Sequence, residues 1–283
     1  MTSHTFDSWL GRREVSTDQI TAAPLRRLAA VLDHCDPPWR KDELPPLGHW
    51  LYHLSHYRQS ELGSDGHPTN VGILAHTSAR HRMWAGSRVR FLHGIPIGAE
   101  AIRQTTVANI VNKSGARGEM LLTTIRHELT SGGRLAIEEE QDIAYLGEQA
   151  RSFEPRSHAA MPEAHITRIV HATPELLFRF SALTFNAHRI HYDRDYARNS
   201  EHYPGLVVQG PLLATFLVDL FLRARPGLIV TGFQCRALAP TFDQDSFKLC
   251  SAATPDGGDL WVLGSNGELK MTAHIEGVSL TNH

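Results

Sequence analysis

Apolar residues recur at helical spacing early in the chain, at Ile20, Leu25, Leu28, Val31 and Leu32. Ser16 and Thr17 stand as caps before them and Pro37 and Pro38 as a stop after them, which predicts a helix. Beyond an irregular stretch rich in Pro and His, side chains alternate over 86–93, 100–111, 120–129 and 135–146, the pattern of antiparallel strands. The glycine-bearing turns SGARG and SGG suit hairpins between the later strands. At 148–163, EQARSFEPRSHAAMPE, two prolines and mixed charges interrupt any apolar period, and a linker is predicted there between a domain at 1–147 and one at 164–283. The second half repeats the plan. A strand at 165–170 and a helix at 174–183 opened by Thr173 precede a strongly apolar helix at 211–223, ended before Pro226 and Gly227. Strands at 228–237, 246–254, 260–264 and 268–277 follow, the last two joined by Ser265-Asn266-Gly267. The segment LLATFLVDLFL is apolar on nearly every face, so protein must surround it. An α+β architecture results, in which antiparallel sheet wraps around a buried helix.

Length and charge narrow the function classes. The 283 residues suit two domains of roughly 140, each large enough for its own core. Hydrophobic residues at 41% and charged residues at 20% are ordinary for globular protein, so the chain is expected to fold throughout. A net charge of -2 supplies no global field for nucleic acid or an anionic membrane, and a polyanionic ligand must be met by a local patch. The polar N-terminus and the lack of a membrane-length apolar run point to a soluble, cytoplasmic protein. Cys35, Cys235 and Cys250 form no C-x-x-C pair and read as buried free thiols in a reducing compartment.

Candidate chemistry concentrates in LTFNAHRIHYD, which places Asn186, His188, Arg189 and His191 within six positions directly after an apolar helix. An ordinary polar loop would also account for them. A second segment, YPGLVVQGPL, runs into the buried helix through Gln209, Gly210 and Pro211. Amides in the first turn of a helix have no intrahelical partner and favour negative charge, which makes Gly210 N–H a candidate oxyanion donor. The alternative is that Gly210 only permits a tight approach to the helix. His188 and His191 have H-x-x-H spacing, but no carboxylate or cysteine completes a zinc pattern, and Asp193 and Asp195 read as helix-start residues; no metal is expected. Arg80, Arg82, Arg88 and Arg90 cluster with His81 and Trp84, which suits the phosphates and adenine of a nucleotide or equally an exposed strand face.

Together these segments resemble the MaoC-like hydratases and dehydratases, whose motif S-G-D-x-N-P-x-H precedes a glycine that opens the central helix. Thr184, Phe185, Asn186, His188, Arg189 and His191 occupy its defined positions, with Asn186 in place of the catalytic aspartate. GHWLYHL, RQSELGSDGHP and RMWAGSRVRF in the first half extend the likeness to the hydroxyacyl-thioester dehydratase type 2 and mesaconyl-C(4)-CoA hydratase group, from Trp9 to about Gly277. The resemblance implies a double hot-dog fold, two antiparallel sheets each wrapped around a helix with the N-terminal half degenerate, a CoA thioester substrate, no metal or organic cofactor, and one active site per chain. A homodimer is compatible with it.

For hydration of an enoyl thioester, His191 is then the base, because its intrinsic pKa lies near working pH, and Gly210 N–H the oxyanion donor. Asn186 can orient water through its amide but cannot take a proton. His188, Arg189, Gln209, Arg88, Arg90 and Trp84 are the expected substrate contacts, with Arg189 a candidate fork for an acyl carboxylate such as that of mesaconyl-C(4)-CoA or itaconyl-CoA. Two other readings stay open: a dehydratase of ordinary 3-hydroxyacyl chains, which needs a long apolar channel, and a noncatalytic module that binds acyl-CoA.

Overall fold

The computed structural model describes residues 8–69, 72–73, 81–115, 118–146, 161–254 and 256–279. In its first half the order is β1 (Arg13–Gln19), α1 (Ala22–Val31), β2 (His81–Phe91), β3 (Glu100–Gly115), β4 (Gly118–Ser131) and β5 (Arg134–Leu146). The second half runs β6 (Ile166–His171), α2 (Pro174–Leu183), α3 (Arg194–Asn199), α4 (Gly210–Ala224), β7 (Leu228–Ala237), β8 (Ser246–Thr254), β9 (Gly257–Leu263) and β10 (Leu269–Ser279). The sheet order is β1-β3-β4-β5-β2-β7-β10-β9-β8-β6, all antiparallel. Read from the centre outward, 2-5-4-3-1 mirrors 7-10-9-8-6. The halves are therefore two copies of one plan, which is the double hot-dog arrangement.

Two sequence expectations need correction. The halves do not form separate sheets: β2 pairs with β7, Val89 opposite Phe233 and Ser87 opposite Cys235, and a single ten-stranded sheet results. Ser16 and Thr17 are not helix caps either, since they lie in β1, an edge strand paired with β3. The helix begins after Thr21. β-branched Val15 and Thr17 fit the pleat, and ladder bonds to β3 outweigh local capping preference. A smaller correction concerns Cys35, which is exposed, while Cys235 and Cys250 are buried free thiols. The predicted linker falls mostly on residues outside the described set.

The second-half expectations hold closely. α2 starts on Pro174 after Thr173, whose hydroxyl accepts from Leu176 N–H. The helix α4 has Leu212 to Leu222 buried without a break. Its one charged residue in that run, Asp219, is 2% exposed and is neutralised by Arg168 Nη1 and Arg223 Nε, both at 2.9 Å, with His34 from the first half closing the cluster. No helix of this kind stands between α1 and β2 among the described residues, where only single 3-10 turns occur at Gly48–Leu51 and Gln59–Glu61. The first-half sheet thus curls around open space. A cavity of about 1730 Å³ occupies it and extends to the start of α4.

Candidate active site

α2 ends at Leu183, and Thr184 closes it by donating its hydroxyl to Phe180 O at 2.8 Å. Phe185 then takes a left-handed backbone, φ 51°, with its ring 67% exposed. The resembling motif carries glycine at this position, and the geometry shows why: the chain must reverse here at positive φ. Asn186 N–H donates to Ser181 O at 2.8 Å, and its side-chain Oδ1 accepts from His188 N–H at 3.1 Å. That Asx turn leads into one 3-10 turn, Arg189–His191, before Asp193 caps α3 by accepting from Tyr196 N–H at 3.0 Å.

His191 is 8% exposed and lines the cavity. Its Nδ1 lies 2.7 Å from Val207 O, so Nδ1–H donates to that carbonyl and Nε2 is left unprotonated. Val207 N–H in turn donates to Ile190 O at 2.9 Å. These two bonds tie the imidazole to the strand-like approach of α4. Gly210, three residues on and so within about 10 Å of backbone, opens the helix on the same cavity. Burial pushes the imidazole down to about 4, against the pull of the Val207 carbonyl, and His67 adds to the depression. His191 is thus a neutral base at working pH.

The helix start is pinned from both sides. Gln209 Nε2 donates to Leu177 O and Ser181 Oγ, both at 2.9 Å, while its buried Oε1 has no partner among the described residues and lines the cavity. Trp84 lies against Gly210 so closely that a Cβ there would sit 2.6 Å from ring atom Cε3. A bulge between Trp84 and Gly86 in β2 aims that ring inward.

The structure separates the expected contacts. His191, Asn186, His188, Gln209, Gly210 and Trp84 converge on the cavity. Arg189 does not line it: its guanidinium bonds Asp193 Oδ2 at 2.7 and 3.0 Å and Ser64 O at 2.8 Å, and lies over the Tyr196 ring. Arg88 reaches the cavity rim but is bidentate to Asp142, and Arg90 is paired with Glu138 away from it. Arg80 lies outside the described residues.

Sequence reasoning missed two groups. Asp65 and His67, from the loop before β2, sit on the catalytic turn, with the His67 and His188 rings 4.0 Å apart and His188 edge-on to His191 at 5.4 Å. Donor atoms of Asp65, His67 and His188 lie within 4.8 Å of one another, and Asp65 Oδ2 accepts from His67 Nδ1–H at 3.1 Å. Their signal was the SDGHP run, whose proline and glycine predict a turn carrying two ionisable side chains. The second group lines the cavity in the first half. Glu139, 2% exposed, accepts from Ser87 Oγ at 2.6 Å, Trp50 Nε1 at 2.9 Å and His49 Nε2 at 3.0 Å; burial would raise its carboxyl, but His49, His127 and Ser87 hold it down to about 2. Nearby Arg103 donates to His53 O at 2.9 Å and has no carboxylate within 4 Å among the described residues. Alternation along β3 and β5 could have placed these side chains inward, at the cost of contradicting the usual polar-out reading.

The family model of hydroxyacyl-thioester dehydratase type 2 matches residues 47–243, a span that includes both cavity walls. The chain belongs to the hydroxyacyl-thioester dehydratase type 2 family. Within the known proteins it is 42% identical to mesaconyl-C(4)-CoA hydratase of Chloroflexus aurantiacus, over 98% of this chain and 99% of that protein. It is 27% identical to the mitochondrial hydroxyacyl-thioester dehydratase type 2 of Schizosaccharomyces pombe, over 89% and 93%. A crystal structure of a MaoC-like dehydratase from Phytophthora capsici superposes with a TM-score of 0.71 at 11% identity, covering 95% of this chain and 96% of that one. That likeness bears on the fold alone. Relatives of this kind are hydro-lyases, and in this chain His191 and Gly210 face the same cavity.

Proposed function

We propose that the chain hydrates a short dicarboxylic enoyl-CoA, mesaconyl-C(4)-CoA or itaconyl-CoA, to citramalyl-CoA, with His191 as base and no metal or organic cofactor. The observation that carries this reading is the tautomer of His191, fixed by Val207 O with Nε2 free, on the cavity where the first amide of α4 is exposed. For the mesaconyl thioester, His191 Nε2 takes a proton from water as the water oxygen bonds the β carbon. The π electrons move onto the thioester oxygen, where Gly210 N–H and the helix dipole meet the developing charge. Protonation of the α carbon then restores the carbonyl. Asn186 orients water through its amide NH2, since its Oδ1 is engaged.

The acyl group is read from the first-half wall. A long alkyl chain gains little by lying against Glu139, His49, His53 and Arg103. Arg103, with no carboxylate within 4 Å among the described residues, instead offers an anionic acyl group a charged partner on that wall. Identity with the Chloroflexus hydratase supports the same choice. Arg82, Arg236 and Lys270 along the cavity suit the CoA phosphates. Three free cysteines fit a reducing, cytoplasmic site of action, and among the described residues no helix is long and apolar enough to cross a membrane. A homodimer would pair complete sites, because both walls come from one chain.

The test is a panel of enoyl-CoA thioesters with and without a free acyl carboxylate, followed by loss of enoyl-thioester absorbance. Mesaconyl-C(4)-CoA is expected to exceed crotonyl-CoA in kcat/KM by at least about tenfold, worth ~1.4 kcal/mol of recognition, with the rate unchanged after chelation. Preference for crotonyl-CoA overturns the substrate assignment.

A further inference from the structure

The loop carrying Asp65 and His67 belongs to the first half of the chain, yet it is built onto the catalytic turn of the second. Arg189 N–H donates to Asp65 O at 2.9 Å and the Arg189 guanidinium to Ser64 O at 2.8 Å. Gly66, at φ +87°, approaches so closely that a Cβ would sit 1.8 Å from Ala187 O, which only glycine permits. Within the loop, Asp65 Oδ1 accepts from His67 N–H at 2.9 Å and Oδ2 from the His67 ring at 3.1 Å. Burial would raise the Asp65 carboxyl, but these bonds outweigh it and keep the group ionised. His67 lines the cavity, its ring tilted at 43° against that of His188.

Resting on the hydratase reading, we propose that His67, oriented by Asp65, is a second catalytic acid–base residue that delivers the α-proton after His191 has taken the proton of water. Three observations converge on it. Asn186 stands where a second proton-transferring group is expected, and an amide cannot serve. His191 is fixed by Val207 O at 2.7 Å, so its Nε2 addresses one point, and reaching both the attacking water and the α carbon would require the ring to swing. His67 has a counter-ion in Asp65, and no acidic side chain is bonded to His191. The step balances. Water loses a proton to His191 Nε2 as its oxygen bonds the β carbon, the π pair passes to the thioester oxygen, and the enolate collapses as protonated His67 gives its proton to the α carbon. The proton on His191 returns to His67 through cavity water.

The titratable groups facing His67 are Asp65 on its own loop and His188 and His191 on the catalytic turn, with Arg189 and Tyr196 behind Asp65. The experiment measures kcat and KM of the full chain, with His67→Gln and Asp65→Asn, against pH on the best substrate of the panel above. His67→Gln is expected to lower kcat by about 10²-fold with KM little changed, and to remove the alkaline limb of the pH profile. Asp65→Asn should move that limb to lower pH. His67→Gly with added imidazole should recover part of kcat, which a packing role would not allow. A His67→Gln enzyme with wild-type kcat, an effect confined to KM, an unmoved alkaline limb, or no imidazole rescue in a folded His67→Gly variant each overturns the proposal while leaving the hydratase reading intact. A wild-type chain that hydrates no enoyl-CoA removes the functional reading and this inference with it.

Discussion

Gly210→Ala adds one methyl group at the point where the oxyanion amide, the central helix and Trp84 meet. The new Cβ would lie 2.6 Å from Trp84 Cε3 and 3.0 Å from Cζ3. Carbon atoms settle at about 3.5–4.0 Å, so a gap of about 1 Å must open. Trp84 cannot yield that distance freely: its ring meets Trp50 edge-on at 6.0 Å, and Trp50 Nε1 is tied to buried Glu139 at 2.9 Å. The start of α4 therefore moves. Overpacking of this kind costs about 1–3 kcal/mol of stability, and moving an oxyanion donor by about 1 Å costs roughly 10²-fold in kcat. Steady-state hydration and thermal unfolding of the same preparation measure both. Trp84→Phe takes away the offending atoms, so the double variant should regain about tenfold in kcat relative to what Gly210→Ala loses in the wild-type background. If Gly210→Ala alone keeps wild-type kcat, the amide of residue 210 is not the oxyanion donor.

Two further outcomes follow from the catalytic turn and the buried imidazoles. His191→Ala should lose about 10³-fold in kcat, whereas Asn186→Ala, which removes only a water-orienting amide, should lose about tenfold or less; the reverse order would make residue 186 the essential group. Burial holds His53, His127 and His191 each down to about 4. Because these folded values lie below the unfolded value of about 6.5, the unfolded chain binds the extra protons, and stability present above pH ~6.5 is lost as pH falls toward ~4, by up to about 1.4 kcal/mol per pH unit for each histidine. Thermal unfolding between about pH 7 and 5 checks the sign, and a melting temperature that rises on acidification would contradict it.

The helices and strands of the second half were legible because their cues are local: Thr173-Pro174 at a helix start, an apolar run for α4, and Ser265-Asn266-Gly267 between alternating strands. β1 was misread because the same Ser16 and Thr17 that cap helices also favour strands, and only the ladder to β3 decides. The joining of both halves into one sheet depends on β2 meeting β7 across more than a hundred residues, which no local pattern announces. His191 and Gly210 were singled out from their spacing, and the structure brings both to the cavity. The place of Arg189 was not legible, because its partners Ser64 and Asp193 lie on two different segments and turn it away from the cavity. Asp65 and His67 were hidden for the same reason, since their meaning comes from a contact between halves.

The asymmetry of the two halves explains why the site is single. Where the second half fills its curl of sheet with α4, whose side chains from Leu212 to Leu222 are all buried, the first half fills the corresponding space with short turns and leaves it open. A sheet face exposed to such a cavity no longer needs apolar side chains throughout. It carries Glu139, His127, Thr105 and Arg103 on adjacent strands, with Thr105 bonded to His127, Glu139 to His49 and Ser87, and Arg103 to His53 O. With no such helix among the described residues, the first half has room for an acyl group and charged residues line that room. The helix kept by the other half opens on that cavity at Gly210, where we place the oxyanion. Restoring apolar residues on the first-half wall should open the cavity to alkyl chains without touching His191, Gly210 or the loop that carries His67, so acyl preference is expected to change while the proposed proton-transferring groups stay in place.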